Sequence, residues 1–529
     1  MKRKVLAMFL AVSMAMAMPC MAFAQEPVNQ VSEVSKTYNM SFEEKGKVAH
    51  TYKVYQIFTG TLAESEGKNI LSDIEWGSSV KADGISIDGK NYANADEFAK
   101  YLKDKNDAYL ESIRGQIFDA IDTNKAVKEF TSVAGGKTNV ELPAGYYILE
   151  DVTPEDKLED KTTGTKDTKS SYVIQLVGNV EVAAKVGSVI SEKKVDDIND
   201  STNASEKLQD TADYDIGDAV PFTITGTIPA NYNKYKTFYY AFNDKMEKGL
   251  TFNNDVKVFL GESEISADKY DVVETPNAQE FKVIFNNLKD VAGVTEDSKI
   301  TVKYTCTLNE DCEVGSQGNI NESWLVYSNN PDVEGFGETP HDNNIVFTYK
   351  VVVNKVDDSE PHRPLAGAEF KIEKLVKVNG NDTWVEKKFE VNQEGTQFSI
   401  TGVDDGIYKL TETKAPEGYN MIKEPFYFVV GATHDFNGYI DSNNRGNILN
   451  LEAYQVDGDN NYVKVDTVVL EFTSNKTSGE VSTDVVNTSG SILPSTGGMG
   501  TTVFYLLGGV LVIGAGVVLF TRRRVDAQN

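Results

Sequence analysis

From about Gly187 to Thr488 the chain is written in short runs that alternate apolar with polar residues, divided by turn-rich pieces. Period-two alternation puts every second side chain on one face, which suits a half-buried strand and not a helix. Val220–Ile228, Thr237–Phe242, Val256–Leu260, Lys282–Phe285, Lys299–Leu308 and Trp324–Tyr327 read as strands of one all-β sandwich over 186–344. A second sandwich over 345–490 uses Lys350–Val356, Phe370–Ile372, Gly406–Thr411, Phe426–Val430 and Thr467–Phe472, with Phe436–Asn461 as loop. No Pro- or Ser-rich linker divides them, so a stiff tandem is expected.

Residues 25–185 form a first domain of mixed α+β character. Thr51–Phe58, Gly145–Glu150 and Tyr172–Val177 read as strands. Ala95–Ile121 places Phe98, Tyr101, Leu102, Tyr109, Leu110, Ile113 and Ile117 at helical spacing, the simplest account being core packing. Glu155–Ser171 is polar and reads as a mobile loop.

Both ends belong to processing rather than to the fold. Lys2, Arg3 and Lys4 precede an apolar run from Val5 to Met18, and Ala22-Phe23-Ala24 offers a cleavage site, so 1–24 is a signal peptide. At the other end, 491–529 holds Leu493-Pro494-Ser495-Thr496-Gly497, an 18-residue apolar and small-residue stretch from Val503 to Phe520, and Arg522, Arg523 and Arg524. That length just spans a bilayer core, and the arginines keep the tail cytoplasmic. The arrangement looks like the sorting signal of Gram-positive surface proteins, which a sortase cleaves between Thr and Gly, here Thr496 and Gly497.

The formal charge is −28, and losing the three basic residues of the leader makes it −31. Losing the tail beyond Thr496, with three Arg and one Asp, makes it −33. So acidic a surface disfavours nucleic acid and anionic membrane. Two cysteines remain after export, Cys306 and Cys312, with Asn309-Glu310-Asp311 suited to a turn between them; a disulfide and two free thiols are both open.

In the last sandwich, strand period puts Lys355 on a face with Tyr349, Val351 and Val353. It puts Glu412 with Tyr408 and Leu410, and Asn487 with Val485. Charged and unpaired groups aimed inward are costly. Burial lowers a lysine's pKa and raises a carboxylic acid's, so a neutral amine can face a protonated carboxyl. The amine is then a nucleophile and the carboxyl a proton shuttle, giving a Lys355–Asn487 isopeptide bond with loss of ammonia. On spacing alone, a surface lysine paired with Glu412 is the simpler reading.

The letters around these residues reverse that preference. Tyr408-Lys409-Leu410-Thr411-Glu412-Thr413-Lys414-Ala415-Pro416-Glu417-Gly418-Tyr419 resembles the E-box of Gram-positive pilus subunits, and Leu365-Ala366-Gly367-Ala368-Glu369-Phe370 is similar to a string of their collagen-adhesin B-type sandwiches. The resemblance implies tandem immunoglobulin-like sandwiches of collagen-adhesin A and B type. It also implies Glu412 as the catalytic group of the Lys355–Asn487 bond. In the middle sandwich Phe242-Asn243-Asp244-Lys245-Met246 resembles the family's aspartate strand. Lys193, on a face with Val189 and Val195, is then the amine, Asp244 the catalytic acid and Asn321 the acceptor, with Asn319 as the alternative.

Val180-Glu181-Val182-Ala183-Ala184-Lys185 resembles the family's pilin motif, although Ala183-Ala184 replace the usual Tyr-Pro; it implies Lys185 as the amine that takes Thr496 of another copy. The implied partners are pilin-specific and housekeeping sortases, copies of the chain, accessory pilins and peptidoglycan. No cofactor is expected. His50, His341, His362 and His434 have no metal-ligand spacing, and Asp457-Gly458-Asp459-Asn460 lacks a full calcium set. No phosphate loop or nucleophile elbow occurs, so a wall hydrolase ranks below two other readings: a pilus backbone subunit, and a wall-anchored monomeric adhesin or accessory pilin.

Overall fold

The computed structural model describes residues 36–490 apart from 66–67, 104, 161–164, 185–186, 297, 332–334, 437–444, 446 and 457–469. The signal peptide, Lys185, Thr496, Gly497 and the Val503–Phe520 stretch lie outside the described residues. Among those described, no helix is long and apolar enough to cross a membrane.

Strands dominate. Nearest the N-terminus, Thr37–Glu43 lies between Lys137–Pro143 and, in parallel, Val180–Ala183. A five-stranded sheet runs Tyr172–Leu176, Gly145–Asp151, Thr51–Ser65, Lys68–Trp76, with Lys128–Thr131 also on Thr51–Ser65. Helices cover one side of it, where Phe98, Ile113 and Ile117 pack on Tyr55, Ile57 and Ile148. The single helix expected over Ala95–Ile121 is two, Ala95–Leu102 and Asp107–Asp119. Asn106 breaks it: the segment before it carries no apolar residue, and its side chain accepts the Tyr109 N–H at 2.9 Å, starting a new helix.

The described residues of Glu155–Ser171, expected as a mobile loop, are packed instead. Leu158, Asp167, Thr168, Ser170 and Ser171 are buried, and Thr165–Asp167 pairs with Ser188–Val189. Its polar side chains meet polar partners across a junction: Asn231 donates to the Lys169 carbonyl at 2.8 Å, and Asn329 donates to Glu155 at 2.6 Å. Polarity marked an interface there.

The middle unit is two seven-stranded sheets. One contains Ser191–Asn199, Ala219–Thr227 and Lys299–Leu308; the facing one contains Asp342–Phe347, Asn319–Ser328, Tyr240–Met246 and Glu280–Phe285. Thr237–Tyr239, expected as strand, precede the observed start at Tyr240. The last unit has two five-stranded sheets, with Tyr349–Asp357 flanked by Gln397–Val403 and, in parallel, by Glu480–Asn487. The facing sheet is built on Glu369–Val378, Gly406–Lys414 and Phe426–Asp435. The expected loop at Phe436–Asn461 contains a ten-residue strand, Asn447–Val456, paired along Phe426–Asp435. Its alternation is spoiled by polar residues because it is an edge strand. Of the expected Thr467–Phe472 strand, the first three residues lie outside the described ones, Leu470 and Glu471 are not in a strand, and a strand starts at Phe472. One residue, Thr348, separates the two sandwiches.

Cys306 and Cys312 are free. Cys306 points into the core, 3.9 Å from Met246 Sδ, and the strand continues to Leu308 before turning at Asn309. Asn309 then donates to the Lys248 carbonyl at 2.8 Å, and that hairpin seats Cys312 against Gly249 instead. Burial pushes the Cys312 thiol up to about 11 and that of Cys306 up as well.

Candidate crosslinking sites

Ser191–Asn199 pairs with Ala219–Thr227 so that Lys193 stands opposite Ile224, facing the other sheet. Lys193 is fully buried, whereas Lys194 points outward and pairs with Asp210 at 2.6 Å. From the facing sheet, Asp244 stands opposite Ser323 and Met246 opposite Asn321, which brings Asp244 and Asn321 under the amine. Lys193 Nζ donates to Asp244 Oδ2 and, at 2.5 Å, to the Tyr304 hydroxyl. That hydroxyl donates to Asp244 Oδ2 at 2.5 Å and accepts from Asn321 Nδ2 at 3.0 Å. Four side chains thus close one buried network across the sandwich. Phe222 and Tyr304 rings lie 5.0 and 5.1 Å from the ammonium.

The walls of this pocket are apolar, so burial raises the Asp244 carboxyl above its usual range, with Lys193 pulling it back. Burial likewise raises the Tyr304 phenol. Asp244 Oδ1 and Asn321 Oδ1 have no hydrogen-bond partner although both residues are buried. Such orphaned oxygens are costly in a buried site. Asn319 is otherwise engaged: its amide donates to the carbonyls of Glu313 and Val346, and its oxygen accepts the Glu313 N–H at 2.9 Å.

No motif in the sequence marks Tyr304. Its signal was there: it shares the inward face of Lys299–Leu308 with Val302 and Cys306, the one hydroxyl on an otherwise apolar row.

The last unit arranges its groups differently. Lys355 and Asn487 come from neighbouring parallel strands of one sheet, Lys355 opposite Val485 and Asp357 opposite Asn487. Glu412 comes from the facing sheet. All three are buried. Glu412 Oε2 accepts from Asn487 Nδ2 at 3.1 Å and from the Ile422 N–H at 2.8 Å. Lys355 Nζ donates to the carbonyls of Val356 at 2.9 Å and Val485 at 2.7 Å. Two neutral oxygens do not hold a charge, and burial drives the Lys355 amine down to about 8 despite Glu412 nearby. Here too the distal oxygens, Glu412 Oε1 and Asn487 Oδ1, lack partners. Among the described residues of the first unit no lysine is buried.

Residues 216–331 match a family model described as Gram-positive pilin backbone subunit 2, Cna-B-like domain; 349–444 match a prealbumin-like fold domain; and 486–527 match the LPXTG cell wall anchor motif. The trypsin-resistant surface T6 protein of Streptococcus pyogenes serotype M6 is 29% identical over 417 residues, 68% of this chain and 72% of that one. The solved T6 backbone pilin of that serotype is similar at TM-score 0.53 and 18% identity, over 86% of this chain and 99% of the other. The full-length major pilin SpaD of Corynebacterium diphtheriae aligns at TM-score 0.45 and 15% identity, over 86% and 98%. The chain is mainly β, in tandem domains of Cna-B and prealbumin-like type. It is homologous to the T6 pilin and is a secreted, wall-anchored surface protein.

Proposed function

We propose that this chain, built from pilin-backbone domains and ending in a wall-anchor motif, is the repeating subunit of a covalent surface pilus. A sortase takes Thr496 from Gly497 and passes it to Lys185 of the next copy. The last copy is passed to peptidoglycan. The domains divide near 185/186, 344/345 and 490/491. Accessory pilins would join the same thread.

Within each subunit, two bonds form without an enzyme. In the middle domain Lys193 Nζ attacks Asn321 Cγ; the C–N bond forms, the Cγ–Nδ2 bond breaks, and ammonia leaves. Asp244 takes the proton from the amine and returns one to the departing nitrogen, with Tyr304 as the bridge between them. In the last domain Lys355 attacks Asn487 in the same way, Glu412 handing the proton to Nδ2, which it already touches. Closing a loop of about 130 residues stabilises by about 4–5 kcal/mol if disulfide arithmetic carries over.

The observation that carries this reading is the buried Lys193–Asp244–Tyr304–Asn321 network, three of whose members, Asp244, Tyr304 and Asn321, lie inside the segment that matches a pilin backbone model. Immunoblots of wall extracts test the polymer. A ladder of detergent-resistant species that collapses on Lys185→Ala is expected. A single monomer-sized band would favour a wall-anchored adhesin or accessory pilin.

A further inference from the structure

We propose a calcium-type divalent cation site where the middle and last sandwiches meet, formed by Asp213, Asp404 and Asp405. The strand Thr211–Asp213 brings Asp213 to the junction, and the turn between Gln397–Val403 and Gly406–Lys414 brings Asp404 and Asp405. Each offers a carboxylate oxygen within 4.8 Å of those of the other two. Calcium takes oxygen ligands at about 2.3–2.6 Å, so ligands across one ion stand at most about 5 Å apart.

Acidic clusters are common, and what distinguishes this one is how its oxygens are used. Lys374 is fully buried and lies 2.7 Å from Asp200, 3.0 Å from Asp215 and 3.1 Å from Asp404 Oδ2. Lys387 lies 2.7 Å from Asp215. His434 Nε2 faces Asp197 at 3.7 Å and Asp213 Oδ1 at 3.8 Å. These cations account for one oxygen each of Asp213 and Asp404. The remaining two, Asp213 Oδ2 and Asp404 Oδ1, have no hydrogen-bond partner, in residues only 3% and 1% exposed. Buried carboxylate oxygens without partners, in a trio whose oxygens come within 4.8 Å of one another, call for a cation or a proton. The ion pairs of Lys374 with Asp404 and of His434 with Asp213 end on the other oxygen of each carboxylate, Oδ2 and Oδ1.

Asp405 is half-buried and gives the ion a way in from solvent. Its Oδ1 accepts from Asn199, so the middle sandwich orients the third ligand. The neighbouring trio Asp200, Asp215 and Asp218 also has ligand spacing, but Lys374 and Lys387 already supply its positive charge. Binding would join residues 213 and 404 through one ion and stiffen the junction.

Calorimetric titration of chelator-stripped chain 36–490 with calcium tests this. One ion per chain is expected, with a rise in Tm of at least about 3 °C at saturating calcium. Asp405→Asn, the half-exposed position, should lose both effects while keeping the apo Tm; Asp213→Asn should lose them also. An Asp457→Asn control should keep them. Binding that survives Asp405→Asn and Asp213→Asn overturns the site. So does an absence of binding together with a higher Tm in Asp404→Asn, which would mean the carboxyls share a proton.

Discussion

Tyr304 stands between Asp244 and Asn321 and touches both, so its hydroxyl is the shortest proton route across the middle site. Tyr304→Phe keeps the ring between Phe222 and Phe281 and removes only that route. The Lys193–Asn321 bond should then form about tenfold more slowly, near 1.4 kcal/mol of barrier. Intact mass against time in freshly translated chain checks it, the bond showing as a loss of one ammonia. In the last domain Glu412→Ala should leave the ammonia in place. A Lys355 amine held near 8 sets the pH dependence there: below that value it is mostly protonated and unreactive. Bond formation should therefore speed up about tenfold per pH unit up to roughly 8 and level off above it. A rate independent of pH from 6 to 9 would remove Lys355 as the nucleophile.

At the scale of elements, the first domain depends on His50, which leads into Thr51–Ser65. Burial alone would lower the imidazole pKa, but hydrogen bonds to Asp151 at 2.6 Å and to Asp167 win, with Glu44 adding to them, and raise it from 6.5 to about 10. A pKa raised on folding contributes stability that is complete below the unfolded value and lost as pH rises through the folded one. The urea midpoint of this domain should fall between pH 6.5 and about 10, and His50→Gln should flatten that fall. Asn106 is the other element-level test. Asn106→Ala removes the cap of Asp107–Asp119 and should cost about 1 kcal/mol in the same urea titration.

In the whole molecule the two proposed crosslinks are placed differently. The Lys193–Asn321 pair spans facing sheets, whereas Lys355–Asn487 joins neighbouring parallel strands. If tension enters at Lys185 and leaves at Thr496, the backbone between 321 and 355 is the long stretch without a covalent bypass. It includes the strand Asp342–Phe347. On that path the first domain would lie before Lys185, outside the line of force, and among its described residues no lysine is buried. Single-molecule pulling on polymer should extend 321–355 and leave 36–184 folded. The junction should resist bending through Gly402, at φ +77°, where a Cβ would meet Ile216 Cδ1 at 2.1 Å. Gly402→Ala should separate the sandwiches and open new trypsin cuts near Thr348. An unchanged digest would show that the contact is dispensable.

Strands, inward-facing lysines, acids and asparagines were legible in the chain because strand periodicity is local: two letters suffice to say which face Lys193 or Glu412 takes. Helix boundaries failed where one capping residue, Asn106, outweighed a continuous apolar stripe. Glu155–Ser171 failed because polarity that meets another domain looks the same as polarity that meets water. Asn447–Val456 failed because an edge strand need not alternate cleanly. Local pattern therefore determined the fold class and which lysines, acids and asparagines face inward. Tertiary structure decided which sheet each strand joined, that Tyr304 completes the middle site, that Cys306 and Cys312 face different neighbours, and that Asp213 meets Asp404. Those are pairings between distant residues, set by how sheets pack, and no short stretch of sequence contains them.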